Sequence, residues 1–122
     1  MRVLMIQSKD DTSLDMVEES LVNAGFEIIR TQESSTEIED IPASSVDLVI
    51  IQDSGKGCEL CTRIKTMIIV PVIGICDSED EIALVSMLES GADFSMSKPV
   101  SNIELVARAH SLIRYYHGAT KL

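Results

Sequence analysis

Short apolar runs alternate with amphipathic stretches along this chain of 122 residues. Three of the runs, residues 3–6, 48–51 and 72–76, are continuous, which is typical of strands that are covered on both faces. Two shorter runs, residues 26–29 and 93–97, are also predicted as strands. The pattern therefore predicts five short strands.

The first stretch between strands has the spacing of an amphipathic helix. Leu14, Val17, Leu21 and Val22 recur at helical intervals, and Gly25 follows where a helix is expected to stop. We therefore expect a first helix that covers the sheet with this apolar face.

Four more helices are predicted after the remaining strands. Residues 34–41 predict a short second helix that Pro42 ends, and residues 58–66 predict a third helix. Two capping boxes mark the starts of the fourth and fifth helices. The boxes and the expected helix ends are Ser78 and Glu81 with an end near Gly91, and Ser101 and Glu104 with an end near Tyr115.

Strands and helices thus alternate strictly, as five strand–helix units. Such alternation predicts a parallel sheet with helices on both faces, because each connecting helix must cross over the sheet. We expect a single doubly wound (βα)5 domain of the α/β class over residues 1–116. Residues 117–122 are expected to be a tail or linker stub.

Acidic residues outnumber basic ones by 20 to 10, which gives a formal net charge of −10. A surface of this sign repels phosphate backbones and anionic membranes, so we expect no direct contact of this domain with nucleic acid or membrane. No apolar run approaches the roughly 18 residues that span a bilayer. Three cysteines without the spacing of a disulfide framework indicate a reducing cytoplasm.

Several segments resemble, in order, the receiver domains of two-component response regulators. Residues 91–114, GADFSMSKPVSNIELVARAHSLIR, resemble the fifth strand, Lys-Pro turn and last helix of the OmpR/PhoB-type branch. The segments RVLMI, AGFEI, DLVII, CELCTRIK and PVIGI fit as well, so the resemblance covers nearly the whole chain. It implies a flavodoxin-like fold with the strand order 2-1-3-4-5.

The resemblance also implies a chemistry at the carboxyl ends of the strands, where open parallel sheets hold their ligands. Receivers transfer a phosphoryl group to an aspartate at the end of the third strand. A carboxylate pair after the first strand holds Mg²⁺, which neutralises charge on the phosphoryl group. A Ser or Thr after the fourth strand and a Lys after the fifth contact the phosphoryl oxygens.

This chain departs from that pattern at every position but one. The phosphoacceptor position falls on Gln52, the carboxylate pair on Gln7 and Ser8, and the hydroxyl position on Cys76. An amide is not a usable nucleophile, neutral side chains attract a hard cation weakly, and a thiol is a poor hydrogen-bond donor. Only Lys98 keeps the identity of the family. We therefore expect no phosphotransfer, no enzymatic activity and no bound Mg²⁺ or other cofactor.

The family's pattern includes two further positions. Pro99 implies a cis Lys98–Pro99 bond, and the position of the family's switch aromatic in the fifth strand falls on Ser95.

Nearby carboxylates offer an alternative. Asp53 could be a displaced acceptor, although neighbouring strand residues point to opposite faces and Asp53 should not aim where Gln52 aims. Asp10 could supply one metal carboxylate, or cap the first helix. Lys98 is expected to meet the Gln52 amide oxygen, Asp53 or Asp10, or else to reach solvent.

Cys58 and Cys61 form a C-x-x-C pair at a predicted helix start, where the helix dipole lowers the pKa of a thiol. A thiol redox sensor is therefore a second alternative. Core packing is the interpretation that the sequence favours, because both positions are filled by small or apolar residues in the family. A metal site is disfavoured since His110 and His117 lie far along the chain.

The resemblance also implies a dimer interface across the fourth helix, fifth strand and fifth helix. Leu84 stands where a basic residue is usual and Phe94 where a second Asp is usual, which enlarges the apolar part of that interface. The matching positions are Leu84, Val85, Leu88, Glu89, Asp93, Phe94, Glu104, Val106, Arg108 and Arg114.

We conclude that the sequence favours an atypical, phosphorylation-independent receiver that acts as a homodimerisation and protein-interaction module. Its OmpR/PhoB-like end suggests the N-terminal regulatory part of a winged-helix, DNA-binding transcription regulator. The alternatives are a regulator phosphorylated at Asp53, a redox sensor using Cys58 and Cys61, and a stand-alone adaptor.

Overall fold

Five strands form one parallel sheet in a computed structural model. It describes residues 1–7, 14–32, 45–53, 55–77 and 80–120, with residues 119 and 120 described by their backbone alone. The strand order is β2-β1-β3-β4-β5, as the resemblance implied. The strands are β1 (Arg2–Gln7), β2 (Glu27–Gln32), β3 (Leu48–Asp53), β4 (Val72–Cys76) and β5 (Phe94–Ser97). The helices in the described residues are α1 (Asp15–Asn23), α2 (Gly57–Met67), α3 (Glu81–Glu89) and α4 (Asn102–Thr120).

Each central strand divides its side chains between two hydrophobic clusters, one on each face of the sheet. Leu4 and Ile6 join the cluster that α2 and α3 cover, whereas Val3 and Met5 join the cluster that α1 and α4 cover. Because successive strand residues point to opposite faces, burial of both faces requires a continuous apolar run. The prediction of buried strands is confirmed.

Two helix ends agree with the sequence, and the start of α3 differs from it. Gly25 follows α1 with a φ of 97°, a left-handed conformation that glycine adopts without strain. Ser101 Oγ accepts a hydrogen bond from the Glu104 backbone N–H at 3.3 Å, as its capping box predicted. The other capping box is wrong, since α3 begins at Glu81 and its N-cap is Asp80.

Two further expectations differ from the structure, and another concerns residues that the structure does not describe. The predicted second helix, residues 34–41, lies outside the described residues. The last helix continues beyond Tyr115 to Thr120, while the assignment of residues 117–122 to a tail or linker stub stays a prediction. Val22 is 52% exposed, so the covered face of α1 consists of Leu14, Val17 and Leu21. No helix in the described part of the chain is long and apolar enough to cross a membrane.

Candidate functional site

The carboxyl ends of β1, β3, β4 and β5 meet at one edge of the sheet and bring together most of the predicted pocket. Asp53 pairs in register with Cys76, and Cys76 pairs with Ser97, the residue before Lys98. Ser8 and Asp10 lie outside the described residues. The degenerate pocket is therefore described by Gln7, Gln52, Asp53, Cys76 and Lys98, and we use that name for these five residues.

Gln52, which the resemblance aligns with the phosphoacceptor position, lies near the carboxyl end of β3. It is 1% exposed and, among the described residues, is the single buried side chain of polar or charged type. A carboxamide carries no charge at any ordinary pH, so it can be buried without the large desolvation penalty of a carboxylate. The position is filled by a group that suits the interior and cannot attack phosphorus.

Asp53 is engaged in starting α2. Its Oδ1 accepts hydrogen bonds from the backbone N–H groups of Gly55, at 2.9 Å, and of Gly57, at 3.2 Å. A Cβ at Gly57 would lie 2.9 Å from that same oxygen and 2.8 Å from Met87 Cε, so the close approach requires glycine. Asp53 thus caps the first N–H of α2, that of Gly57, while the N-cap residue Lys56 makes no side-chain capping hydrogen bond.

Lys98 forms an ion pair with Asp77, the residue after β4, at an Nζ–Oδ1 distance of 2.8 Å. The backbone N–H of Lys98 also donates to the Cys76 carbonyl at 3.0 Å, and the Lys98–Pro99 peptide bond is cis. Asp77 was not among the acceptors that the sequence suggested for Lys98. It was missed because it lies one residue beyond the position where the family places its hydroxyl.

Arg30 on β2 is a second residue that sequence reasoning missed. Its Nε donates to Gln7 Oε1 at 3.2 Å, and its Nη2 donates to the same oxygen. Its Nη1 donates to Asp15 Oδ1 at 2.7 Å and to Glu18 Oε2 at 3.2 Å. Two opposing effects act on the pKa of Arg30. Burial alone would lower this pKa, but the hydrogen bond to Asp15 and the charge of Glu18 have a larger combined effect, and the net result is a raised pKa.

The Mg²⁺ that the resemblance implies does not fit these side chains. Gln7 gives its amide oxygen to Arg30, and Asp53 gives one carboxylate oxygen to two backbone N–H groups. Within the described residues, no group of three His, Cys, Asp or Glu side chains is placed to hold a metal ion. A hard cation prefers several negatively charged oxygens, which the described part of the pocket does not offer.

The cysteines behave as core residues. Cys61 is fully buried in the α2–α3 cluster, and Cys58 is partly buried against it. Burial raises the pKa of Cys61 from 9.0 to about 11, and burial followed by the charge of Asp53 raises the pKa of Cys76. A raised pKa keeps a thiol protonated and unreactive, which weighs against a redox site.

The predicted dimer interface begins with an apolar ridge along the exposed side of α3. Ile82, Val85 and Leu88 are 74%, 43% and 45% exposed and follow one another at intervals of three residues. Leu84, also in the predicted set, is instead partly buried against the α2–α3 cluster. Its carbonyl accepts a hydrogen bond from Ser95 Oγ at 3.0 Å, which ties β5 to α3 at the position of the family's switch aromatic.

Other members of the predicted interface have partners within the chain. Phe94 and Val106 are partly buried against the α1–α4 cluster. The Arg108 guanidinium lies 4.4 Å from the centre of the Phe94 ring and 3.9 Å from Glu104. Arg114 follows Arg108 by six residues, a rotation of about 240° that places it on a different flank of α4.

Asp93 belongs to a polar cluster at the opposite, amino-terminal end of the strands, which we call the Lys65 cluster. Lys65 Nζ contacts the Val70 carbonyl, Asp93 Oδ2 and the Tyr116 hydroxyl at 2.9, 3.1 and 2.6 Å. Asp93 also accepts hydrogen bonds from the Tyr116 hydroxyl, at 2.7 Å, and from the Val72 N–H, at 2.8 Å. These contacts join α2, β4 and α4, so Asp93 has a structural role within the domain.

Known proteins similar to this chain are response regulators. No protein-family model matches the chain. The transcriptional regulatory protein YrkP of Bacillus subtilis, itself uncharacterized, is 30% identical over 118 residues, which cover 94% of this chain and 50% of YrkP. The chain spans about half the length of the curated relatives it matches.

Two solved structures resemble the fold over its whole length. An orphan response regulator of H. pylori is 30% identical, with a TM-score of 0.76 over 93% of this chain and 96% of that one. A second, described as an atypical orphan response regulator with a phosphorylation-independent regulatory mechanism, is 29% identical, with a TM-score of 0.73. The match covers 94% of this chain and 97% of that one.

The five-stranded order, the Lys-Pro turn at the carboxyl edge and these full-length similarities agree with one another. The chain belongs to the response-regulator family and forms a receiver domain of that family.

Proposed function

We propose that this domain is an atypical, phosphorylation-independent receiver that acts as a homodimerisation and protein-interaction module. In the proposed setting it is the N-terminal regulatory part of a winged-helix, DNA-binding transcription regulator. The domain itself performs no catalysis and makes no direct contact with DNA. Two copies joined through it would hold two DNA-binding domains at a fixed spacing.

The observation that carries this proposal is the buried Gln52 at the end of β3. The family's reaction needs a nucleophilic carboxylate there, and Gln52 offers a neutral amide that is 1% exposed. The nearest carboxylate along the chain, Asp53, caps α2 through two backbone hydrogen bonds. Phosphorylation of Asp53 would disrupt that cap, so the geometry favours the phosphorylation-independent function.

The comparisons support the same setting. A structure 29% identical to this chain is described as an atypical orphan regulator with a phosphorylation-independent mechanism. The curated relatives are transcriptional regulatory proteins about twice as long as the part that this chain matches. The remaining half of each is long enough to hold the DNA-binding domain that we propose.

The ridge of Ile82, Val85 and Leu88 supports dimerisation through α3. Removing three exposed aliphatic side chains from water favours association, whereas the expected charged contacts are weakened by the internal pairing of Asp93 and Arg108. The proposed interface is therefore chiefly apolar and depends little on salt concentration.

The phosphorylation part of the proposal is tested by amide NMR spectra with and without Mg²⁺ and beryllofluoride, a mimic of the acyl phosphate. We expect no change at Asp53, Cys76 or Lys98. Slow-exchange shifts at these residues, lost in Asp53→Asn, would show a displaced acceptor and overturn the proposal.

The dimer is tested by sedimentation equilibrium on Val85→Glu, with Ile69→Glu as the matched control. Both residues are exposed, at 43% and 84%, so neither substitution should disturb the core. We expect Val85→Glu to weaken self-association by roughly tenfold or more, as a charge in an apolar contact must be desolvated. Equal self-association of the two variants would exclude the α3 ridge as the interface.

A further inference from the structure

Arg30 places a permanent positive charge beside the end of β1, at the edge where the family's carboxylate pair would stand. β2 lies next to β1, and Arg30 pairs in register with Met5, two residues before Gln7. Its guanidinium reaches forward to the Gln7 amide oxygen and sideways to Asp15 and Glu18 in the first turn of α1. Three elements of the fold thus meet on one side chain.

The oxygens that Arg30 engages are of the kind that a hard cation needs. They are one amide oxygen and two carboxylate oxygens, from Gln7, Asp15 and Glu18. Arginine stays protonated throughout the accessible pH range, and its planar fork can hold several oxygens at once. A divalent ion at this edge would compete with the guanidinium for these oxygens and would be repelled by its charge.

We propose that Arg30 is a built-in cation that keeps divalent metal ions away from the carboxyl end of β1. This inference rests on the proposed function and deepens it. Two factors then disfavour metal binding in the pocket. One is the positive charge of Arg30, and the other is the absence of carboxylates at the positions of the family's metal-binding pair. Arg30 thereby fixes Gln7 against α1 in one arrangement, independently of any ion in solution.

The test compares Mn²⁺ binding, a paramagnetic substitute for Mg²⁺, in variants that differ only at one arginine. In a Gln7→Asp background, Arg30→Gln leaves three carboxylates without their cation, whereas Arg30, where it is kept, offsets one of their three negative charges. Arg2→Gln is the matched control, because Arg2 also forms a strand-to-strand pair, with Glu27 Oε2 at 3.2 Å, but at the amino end of β1. Broadening of the amide signals of residues 7, 15 and 18 reports where the ion binds.

We expect Q7D/R30Q to bind Mn²⁺ on the order of tenfold more tightly than Q7D, and Q7D/R2Q to match Q7D. Equal affinities in Q7D and Q7D/R30Q, including no binding in either, would overturn the inference. If Arg30→Gln prevents folding, Arg30→Met replaces it, because Met removes the charge but keeps an unbranched side chain, and the same gain is expected. No gain in that variant would likewise overturn it.

The two proposals fail separately. Shifts of wild-type Asp53, Cys76 and Lys98 signals on adding Mg²⁺ and beryllofluoride would refute the proposed function, whatever the Mn²⁺ comparison shows. Equal Mn²⁺ affinity of the Arg30 variants, with an unresponsive wild type, would refute only the role of Arg30.

Discussion

Two lysine–aspartate pairs stand at opposite ends of the same sheet, and they differ in how completely they are surrounded. Lys98 and Asp77 pair at the carboxyl edge with side chains 21% and 59% exposed, whereas Lys65 and Asp93 pair at the amino edge at 22% and 21%. The second pair is also joined by the Tyr116 hydroxyl and by two backbone groups.

The difference indicates that the better-shielded charges, which stabilise the fold, lie at the end of the sheet opposite to the position of the family's chemistry. Hydrogen-bonded charges that are shielded from water stabilise a fold because each lost contact leaves its partner unsatisfied. At the carboxyl edge, the resemblance aligns the neutral Gln52 and the buried thiol of Cys76 with the family's reactive groups, and the Asp77 side chain of the ion pair there is 59% exposed. We infer that the amino edge contributes more than the carboxyl edge to holding the helices in place.

The largest expected effect comes from the Lys65 cluster. Asp93→Ala removes the acceptor of Lys65, Tyr116 and the Val72 N–H together, and so leaves three donors to find water. We expect a loss of about 3 kcal/mol in the free energy of unfolding, measured by urea denaturation. A loss below about 1 kcal/mol would mean that both ends of the sheet contribute equally, and the comparison would fail.

Alkaline pH gives the next effect and acts on the same end of the molecule. Burial raises the pKa of Cys61 from 9.0 to about 11, so the folded state holds that proton more tightly than the unfolded state does. This contribution is complete below pH 9 and is lost as the pH rises through 11, a decrease of about 2 kcal/mol.

Urea denaturation between pH 8 and pH 11.5, on wild type and Cys61→Ala, measures this loss. The variant should lack the part that falls between pH 9 and 11. The raised pKa values of Tyr116 and Lys65 have the same sign and add their losses at the upper end of the range, in both proteins. Parallel curves for wild type and Cys61→Ala would contradict the burial of this thiol.

A smaller effect is expected where β5 meets α3, between the two ends. Ser95→Ala removes the hydrogen bond from Ser95 Oγ to the Leu84 carbonyl and should cost about 1 kcal/mol. Ser111→Ala, at an exposed position on α4, is the control and should cost nearly nothing. Increased hydrogen exchange of the α3 amides in Ser95→Ala alone would show that this contact fixes α3 on the sheet. Equal exchange in the two variants would show that it does not, and would leave the packing of Met87 on Gly74 as the contact that does.

The strands of the sheet could be predicted because the apolar pattern of each strand lies within one short segment of the sequence. Residues 3–6 and 48–51 are apolar at every position, and only burial on both faces explains that pattern. The polar partners could not be predicted, because Arg30 finds Gln7 and Lys65 finds Tyr116 only after strands and helices are brought together. A hint was present for Arg30, a lone cation at the end of the apolar segment FEIIR.

The α3 start shows the same limit on a smaller scale. Ser78 and Glu81 satisfy the spacing of a capping box, yet Asp80 caps the helix by accepting from the Ile82 N–H at 2.9 Å. Both Ser and Asp are good caps, and their local preferences are nearly equal. Local preference therefore could not identify the cap, although Gly74 of β4, against which Met87 packs, fits a helix that returns over the sheet.

The smallest expected effect is at Asp77. Asp77→Ala removes the ion pair with Lys98, but Asp77 is 59% exposed, and pairs of this kind contribute about 0.5 kcal/mol or less to stability. Urea denaturation of Asp77→Ala beside Asp93→Ala is therefore the direct test of the comparison, since both substitutions remove one aspartate from a lysine at a similar distance, 2.8 and 3.1 Å. A large loss at Asp77 would show that Lys98 is held as firmly as Lys65, and that the carboxyl edge still supports the fold. A small loss would show that this ion pair contributes little to stability, as the exposure of Asp77 predicts.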